Sequence, residues 1–222
     1  MPIRPSLLVE IQNALGGAII PSLTAADAAS DIFEAYILSL VIGAARAEGA
    51  TIEYRDVFGA TPTTFVFRTS PGYIFSRTQP YTHAIIDFQN KPTLEAHVGV
   101  RVSGQSKVLH ECDVAVLDQT EAETCRQNQV SPRSSKVLLA IECKFYSTNL
   151  PLGLARSFIG LESDLSARDC YFVVNTSSAS VEKLLASKRR HWEHQIIPSS
   201  TNTVSRLRSS FQTAFNNFKA RS

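Results

Sequence analysis

The chain has 222 residues, 44% of them hydrophobic and 19% charged, which are the values of a globular chain long enough to bury a sizeable core. No apolar run reaches the length of a membrane span, and the start MPIRPSLLVE lacks the pattern of a secretory signal, so a soluble, cytoplasmic chain without a membrane partner is expected. The four cysteines (Cys112, Cys125, Cys143, Cys170) form no C-x-x-C pair, which speaks against zinc and for buried free thiols. The net charge of +2 is uneven: residues 182–222 carry eight Lys/Arg against Glu182 and Glu193 only, which leaves the rest of the chain acidic. A basic tail beside an acidic body suits a phosphate-backbone partner, though solvated helix faces explain it equally well.

In chain order, residues 5–20 read as a short amphipathic helix interrupted by Gly16-Gly17. A longer helix is expected from about Ala25 to Ala47, with Thr24 as its N-cap, Asp27 completing a variant capping box and Gly49 as its stop. Its stripe of Ile32, Phe33, Tyr36, Ile37, Leu40 and Val41 is interrupted by Glu34, which reads either as an exposed helix residue or as a site neighbour. Short strands are expected at Thr51–Tyr54, Thr63–Arg68, Tyr73–Ser76 and His83–Phe88. The interleaved Arg68, Tyr73, Arg77, Tyr81 and His83 suit base stacking and phosphate pairing, or simply cover a sheet edge.

Leu94–Val102 alternates apolar and polar residues, the pattern of a half-buried strand, and turns through Ser103-Gly104-Gln105 into Leu109–Asp118 as an antiparallel hairpin. The second arm carries Glu111 and Asp113 two residues apart, hence on one face. Residues 119–136 are polar and contain Pro132, which predicts a loop whose Arg126, Arg133 and Lys136 are free to touch a ligand. Val137–Tyr146 is an apolar strand that ends with Glu142-Cys143-Lys144. Glu142 and Lys144 share a face, as an ion pair at a strand end or as a site for a divalent cation and its water. A helix over Leu152–Leu165, a strand at Tyr171–Val174 and a basic helix over Val181–His194 follow, the last holding Arg189, Arg190 and the lone Trp192. The final segment repeats Val204, Leu207, Phe211, Phe215 and Phe218 at helical spacing, an apolar stripe that packs on its own domain or makes a homo-oligomer through this C-terminal helix.

An acid on one strand, E-x-K on the next, then a helix and another strand: in this order the chain resembles the PD-(D/E)xK nuclease superfamily, over roughly residues 25–180, through Asp113, Glu142 and Lys144. The proline that often precedes the aspartate is here Cys112. The resemblance implies an α/β fold with a central mixed sheet in a restriction-endonuclease-like α-β-β-β-α-β core. It is one domain over 1–222, with an added N-terminal helix and a basic helical extension over about 181–222. It also implies a metal-dependent endonuclease acting on DNA, in restriction, phage defence or repair, alone or with a partner subunit. Mg²⁺ or Mn²⁺ would be held by Asp113, Glu142 and the backbone carbonyl of Cys143, with Lys144 acting on the attacking water. Glu34, Glu111 and Arg156 are the accessory candidates, and Arg189, Arg190, Arg133 and Lys136 the nucleic-acid contacts. The alternative is a non-catalytic nucleic-acid-binding or assembly protein that keeps the fold.

Overall fold

A computed structural model describes residues 3–221. Helix α1 (Ile3–Leu15) ends at Gly16, whose φ of +90° is open to glycine without strain. Strand β1 (Ile20–Pro21) pairs in parallel with β3 (Thr64–Phe65) as a small separate sheet. Helix α2 (Ala29–Ala47) begins four residues later than its predicted start. Thr24 and Asp27 do bond, backbone N–H and hydroxyl both donating to the carboxylate, but they close a turn ahead of the helix instead of capping it. Its C-terminus is a Schellman cap: Ala50 N–H donates to the Ala45 carbonyl and Gly49 N–H to that of Arg46, with Gly49 at φ +89°. Twelve of its nineteen residues are buried, because it lies between the sheet and two other helices.

The main sheet has seven strands in the order β2-β4-β5-β6-β7-β8-β9. Strands β2 (Thr51–Asp56), β4 (Thr82–Asp87), β5 (Leu94–Ser103), β6 (Leu109–Asp118) and β7 (Val137–Lys144) pair antiparallel, each with the next. Strands β8 (Asp169–Val174) and β9 (His191–Glu193) then join in parallel. The crossovers from β7 to β8 and from β8 to β9 hold α4 (Leu152–Asp164) and α5 (Ala179–Ser187), as parallel pairs require. The result is a mixed α/β protein with helices on both faces of a mixed central sheet. One core joins α1, α2 and α6 (Thr201–Arg221) to the sheet, and the other lies under α4 and α5. Among the described residues no helix is long and apolar enough to cross a membrane.

Four expectations are corrected. Residues 119–136 are ordered: α3 (Gln119–Asn128) is capped by Asp118, which accepts from Glu121 N–H at 3.0 Å, and a single 3-10 turn spans Ser134–Lys136. Tyr73–Ser76 is a turn beside β5, and of Thr63–Arg68 only Thr64–Phe65 is strand. The basic helix stops at Ser187, and Trp192 sits on the edge strand β9. Strand β5 is buried on both faces where one was expected wet, since Glu95 and His97 are fully enclosed. Arg126 of α3 forks onto both Glu95 oxygens at 2.6 and 2.8 Å, and His97 Nε2 lies 3.0 Å from Oε2, so the buried charge is paired. The apolar stripe of α6 is buried against α2 of its own chain, with Phe211 edge-on to Tyr171 at 5.3 Å and Phe215 5.5 Å from Phe88.

Candidate active site

The sheet splits at one place. The ladder between β6 and β7 runs from Leu117↔Val137 to Val114↔Ile141 and stops there. Beyond it, β6 continues paired only with β5 (Val100↔Cys112, Arg101↔Glu111), and β7 only with β8 (Glu142↔Phe172, Lys144↔Val174). At the level of the split, Gly99 of β5 adopts φ +60°, a local kink that disturbs the alternation of the sheet. A buried backbone N–H facing the gap must find another acceptor. Cys143 N–H finds Asp113, donating to its Oδ2 at 2.6 Å. The aspartate therefore replaces a missing strand carbonyl, which fixes its side chain and explains why a carboxylate sits at 5% exposure in the middle of an apolar strand. In a strand, N–H and C=O of one residue face the same neighbour, so the Cys143 carbonyl also looks into the split.

Lys144 closes the cluster. Its Nζ lies 2.7 Å from Glu142 Oε1 and 3.4 Å from Asp113 Oδ2. Burial opposes the lysine charge, but the two carboxylates outweigh it and hold the ammonium above the ordinary lysine range. The acids are affected in the opposite sense. Burial, then the Asp113 charge, raise Glu142, and burial raises Asp113 against the pull of Lys144 and the Cys143 N–H. Glu34 of α2 faces this group. Burial first, then Asp113, push its carboxyl up to about 9, so it is neutral at pH 7. Glu111 is raised by burial and by Asp113. Four carboxyl groups thus face the Lys144 ammonium, with only Arg101 beside Glu111 as a second cation, and the site holds a deficit of positive charge.

The other expected residues fare differently. Arg156 is exposed on α4, with no side-chain partner among the described residues. Arg190 is spent on Glu162 at 2.9 Å, and Arg133 forks onto Glu121 at 2.6 and 2.9 Å, so neither guanidinium is an unneutralised charge for phosphate. Lys136 is exposed at the far end of β7, eight residues or roughly 26 Å from Lys144. Arg189 remains exposed after α5 at φ +54°. His110, on the far arm of β6, bonds Asp164 at 2.6 Å, and His97 belongs to the Glu95 pair, which accounts for both histidines structurally. One residue was missed: Glu162 of α4 lines a small cavity with Glu111 and Glu142, and its Oε2 is buried without a partner. Its helical position two turns beyond Ala155 gives no sequence signal of that placement.

Among the described residues no three His, Cys, Asp or Glu side chains converge closely enough to hold an ion by themselves. Asp113 and Glu142 nevertheless fit a hard cation, because Mg²⁺ is ordinarily held by one or two carboxylates while waters and substrate oxygens complete its shell. The fold and the site together define an α/β protein with an acid–lysine cluster at a split in its sheet. Comparison with protein-family models, with curated proteins and with solved structures gave no match.

Proposed function

We propose that this chain is a metal-dependent nuclease that hydrolyses phosphodiester bonds in DNA, with Asp113, Glu142 and Lys144 at its active site. The observation that carries the reading is the cluster at the split between β6 and β7: a rigid aspartate, a glutamate and a lysine joined at 2.7 and 3.4 Å, in a pocket whose carboxyl groups outnumber its cations. The order α2, β5, β6, β7, α4, β8, with the aspartate on the second of these strands and E-x-K on the third, supports a place in the PD-(D/E)xK superfamily and its restriction-endonuclease-like fold.

Asp113, Glu142 and the Cys143 carbonyl would hold the ion. Mg²⁺ or Mn²⁺ there would polarise a phosphoryl oxygen and acidify a bound water. Asp113 contributes a fixed oxygen, because its partner N–H belongs to a strand and cannot swing away. Lys144 is a firmly protonated donor in this arrangement. It orients the attacking water and steadies charge that develops on the phosphate. Glu34, neutral at pH 7, offers an O–H toward the same space and a further oxygen ligand once it ionises.

The test is cleavage of plasmid and single-stranded DNA with Mg²⁺, Mn²⁺ or EDTA, by wild type and Lys144→Ala in parallel. Cutting that needs metal and is lost in the variant supports the proposal. Cutting that survives in Lys144→Ala freed of contaminating nuclease refutes the site. Nucleic-acid binding without cutting under any metal favours the non-catalytic binding protein.

A further inference from the structure

Several basic side chains of the C-terminal region are already neutralised: Arg190 by Glu162, Arg206 by Glu193 and Lys219 by Glu48. Two arginines elsewhere are different. Arg77 and Arg101 have no carboxylate within ion-pair distance among the described residues, and both lie against aromatic rings. Arg101 lies toward the hydroxyl end of Tyr73, its guanidinium carbon 5.1 Å from the ring centre and Nη1 3.5 Å from the phenol oxygen, and Tyr73 is stacked on Phe75 with ring centroids 5.0 Å apart and planes 22° from parallel. Tyr73 is 36% exposed. The pair forms one wall of an open cleft of about 510 Å³, whose other walls are Arg77, Arg126, Gln127 and Gln129.

This wall is built and held. Gly72 N–H donates to the Gly99 carbonyl at 2.9 Å, and Arg101 N–H donates to the Gly72 carbonyl at 3.0 Å, which ties the turn to the edge of β5. Beneath it the buried Arg68 donates to the Tyr73 carbonyl at 2.7 Å and sits over the Tyr81 ring, its guanidinium carbon 3.5 Å from the ring centre. A Cβ on Gly72 would stand 2.8 Å from the Arg68 guanidinium carbon, so only glycine leaves room for this strut. The wall is also close to the cluster. Arg101 is partnered across the strands with Glu111, two residues from Asp113. Two strand spacings, roughly 10 Å, separate the turn from the strand that carries the catalytic acid.

We propose that the Tyr73–Phe75 stack, with Arg101 and Arg77 beside it, is a binding platform for an unpaired nucleotide of single-stranded nucleic acid running into the Asp113–Glu142–Lys144 cluster. It rests on the nuclease reading and names the substrate class. Bases inside a duplex are stacked on one another and cannot take up a ring, whereas an unpaired base has two free faces. The guanidinium of Arg77, and that of Arg101 beside Glu111, meet the adjoining phosphates, and Gln127 and Gln129 line the same cleft as polar contacts for a base. A platform pinned by a buried arginine loses little conformational freedom on binding.

The experiment is fluorescence anisotropy in EDTA, with a labelled single-stranded oligonucleotide and the same sequence as a blunt duplex. Wild type is compared with Tyr73→Leu/Phe75→Leu, which keeps apolar bulk but removes the rings, and with Arg77→Ala; melting temperatures verify folding. The expected result is a wild-type preference for the single strand. The double variant loses roughly tenfold or more of that affinity with duplex binding unchanged. Arg77→Ala lowers the salt slope by about 0.7. Equal affinity of wild type for both forms, no binding of either, or unchanged single-strand affinity in the double variant overturns the platform. The nuclease reading is scored separately, by Mg²⁺-dependent cutting of the same oligonucleotides by wild type and Lys144→Ala, so a protein that cuts without using the platform is told apart from one that does not cut.

Discussion

Replacing Glu34 by Gln should make the metal-free protein more stable. The carboxyl lies in the shadow of Asp113 and is held up to about 9 in the fold, against 4.5 for the free side chain. Between those values the native state carries a proton that the unfolded chain gives up, so stability falls as pH rises from 4.5 toward 9. At pH 7 the span is about 2.5 units, or ~3 kcal/mol at 1.36 kcal/mol per unit, and nearer 2 once water at the rim of this partly buried group is allowed for. Glutamine matches the neutral acid in shape and needs no proton. The substitution should therefore raise the urea midpoint in EDTA at pH 7, equivalent to roughly 4–8 °C in Tm for a chain of this length, and by somewhat more at pH 7.5. The gain should shrink to nearly nothing at pH 4.5. A neutral or destabilising result at pH 7.5, or a gain that does not grow between pH 5 and 8, would refute the claim that this carboxyl is held in a desolvated anionic field. The same variant should cleave DNA more slowly, a trade of function against stability.

The buried Glu95 predicts the opposite behaviour. Glu95→Gln removes the partner of Arg126 and should cost about 3–5 kcal/mol in chemical denaturation. His83 beside it is kept neutral, lowered to about 3 chiefly by burial, then by His97. The unfolded chain takes up the proton first, so the fold should weaken as pH falls below about 6.5, with a further loss setting in below about 4.5, where the unfolded chain protonates its glutamate while Arg126 and His97 still hold Glu95 ionised. Phe211→Ala, which empties a fully buried ring site under Tyr171, should cost about 3–5 kcal/mol by urea titration, and a loss below 1 would contradict the packing of α6. Gly72→Ala should push Arg68 off the Tyr81 ring, costing about 1–3 kcal/mol and weakening single-strand binding together.

Long apolar elements were legible in the sequence because their burial is written in the residues themselves. The β5–β6 hairpin, β7, α4 and β8 all form near their expected bounds, and Asp113, Glu142 and Lys144 come together from two strands. Helix α3 was not legible because it buries little apolar surface: Ala122, Cys125 and the glutamate Glu121. Glu121 is held by Arg133, twelve residues away, a pairing no local pattern reveals. A signal did exist in Asp118, three residues before Glu121, the spacing of a capping pair. The wet face assigned to β5 failed for a related reason: Glu95 and His97 look polar, and the arginine and tyrosine that allow their burial come from α3 and from Tyr81. The pairing of basic tail residues with Glu162, Glu193 and Glu48 is likewise tertiary, so net charge by segment overstated the free positive surface.

The split between β6 and β7 also equips the protein with its own spectroscopic probe. Most strand amides are bonded to carbonyls, whose acceptor strength does not vary with solution conditions. The Cys143 amide is bonded to a carboxylate instead. Its proton resonance should move with the charge state of Asp113, and its exchange with solvent should quicken whenever that carboxylate is protonated or drawn toward a cation. The amides of Leu139 and Ala140, in the regular ladder of the same strand, serve as an internal reference. Uniform nitrogen-15 labelling would thus report the electrical state of the cluster through the Cys143 amide, without any added dye.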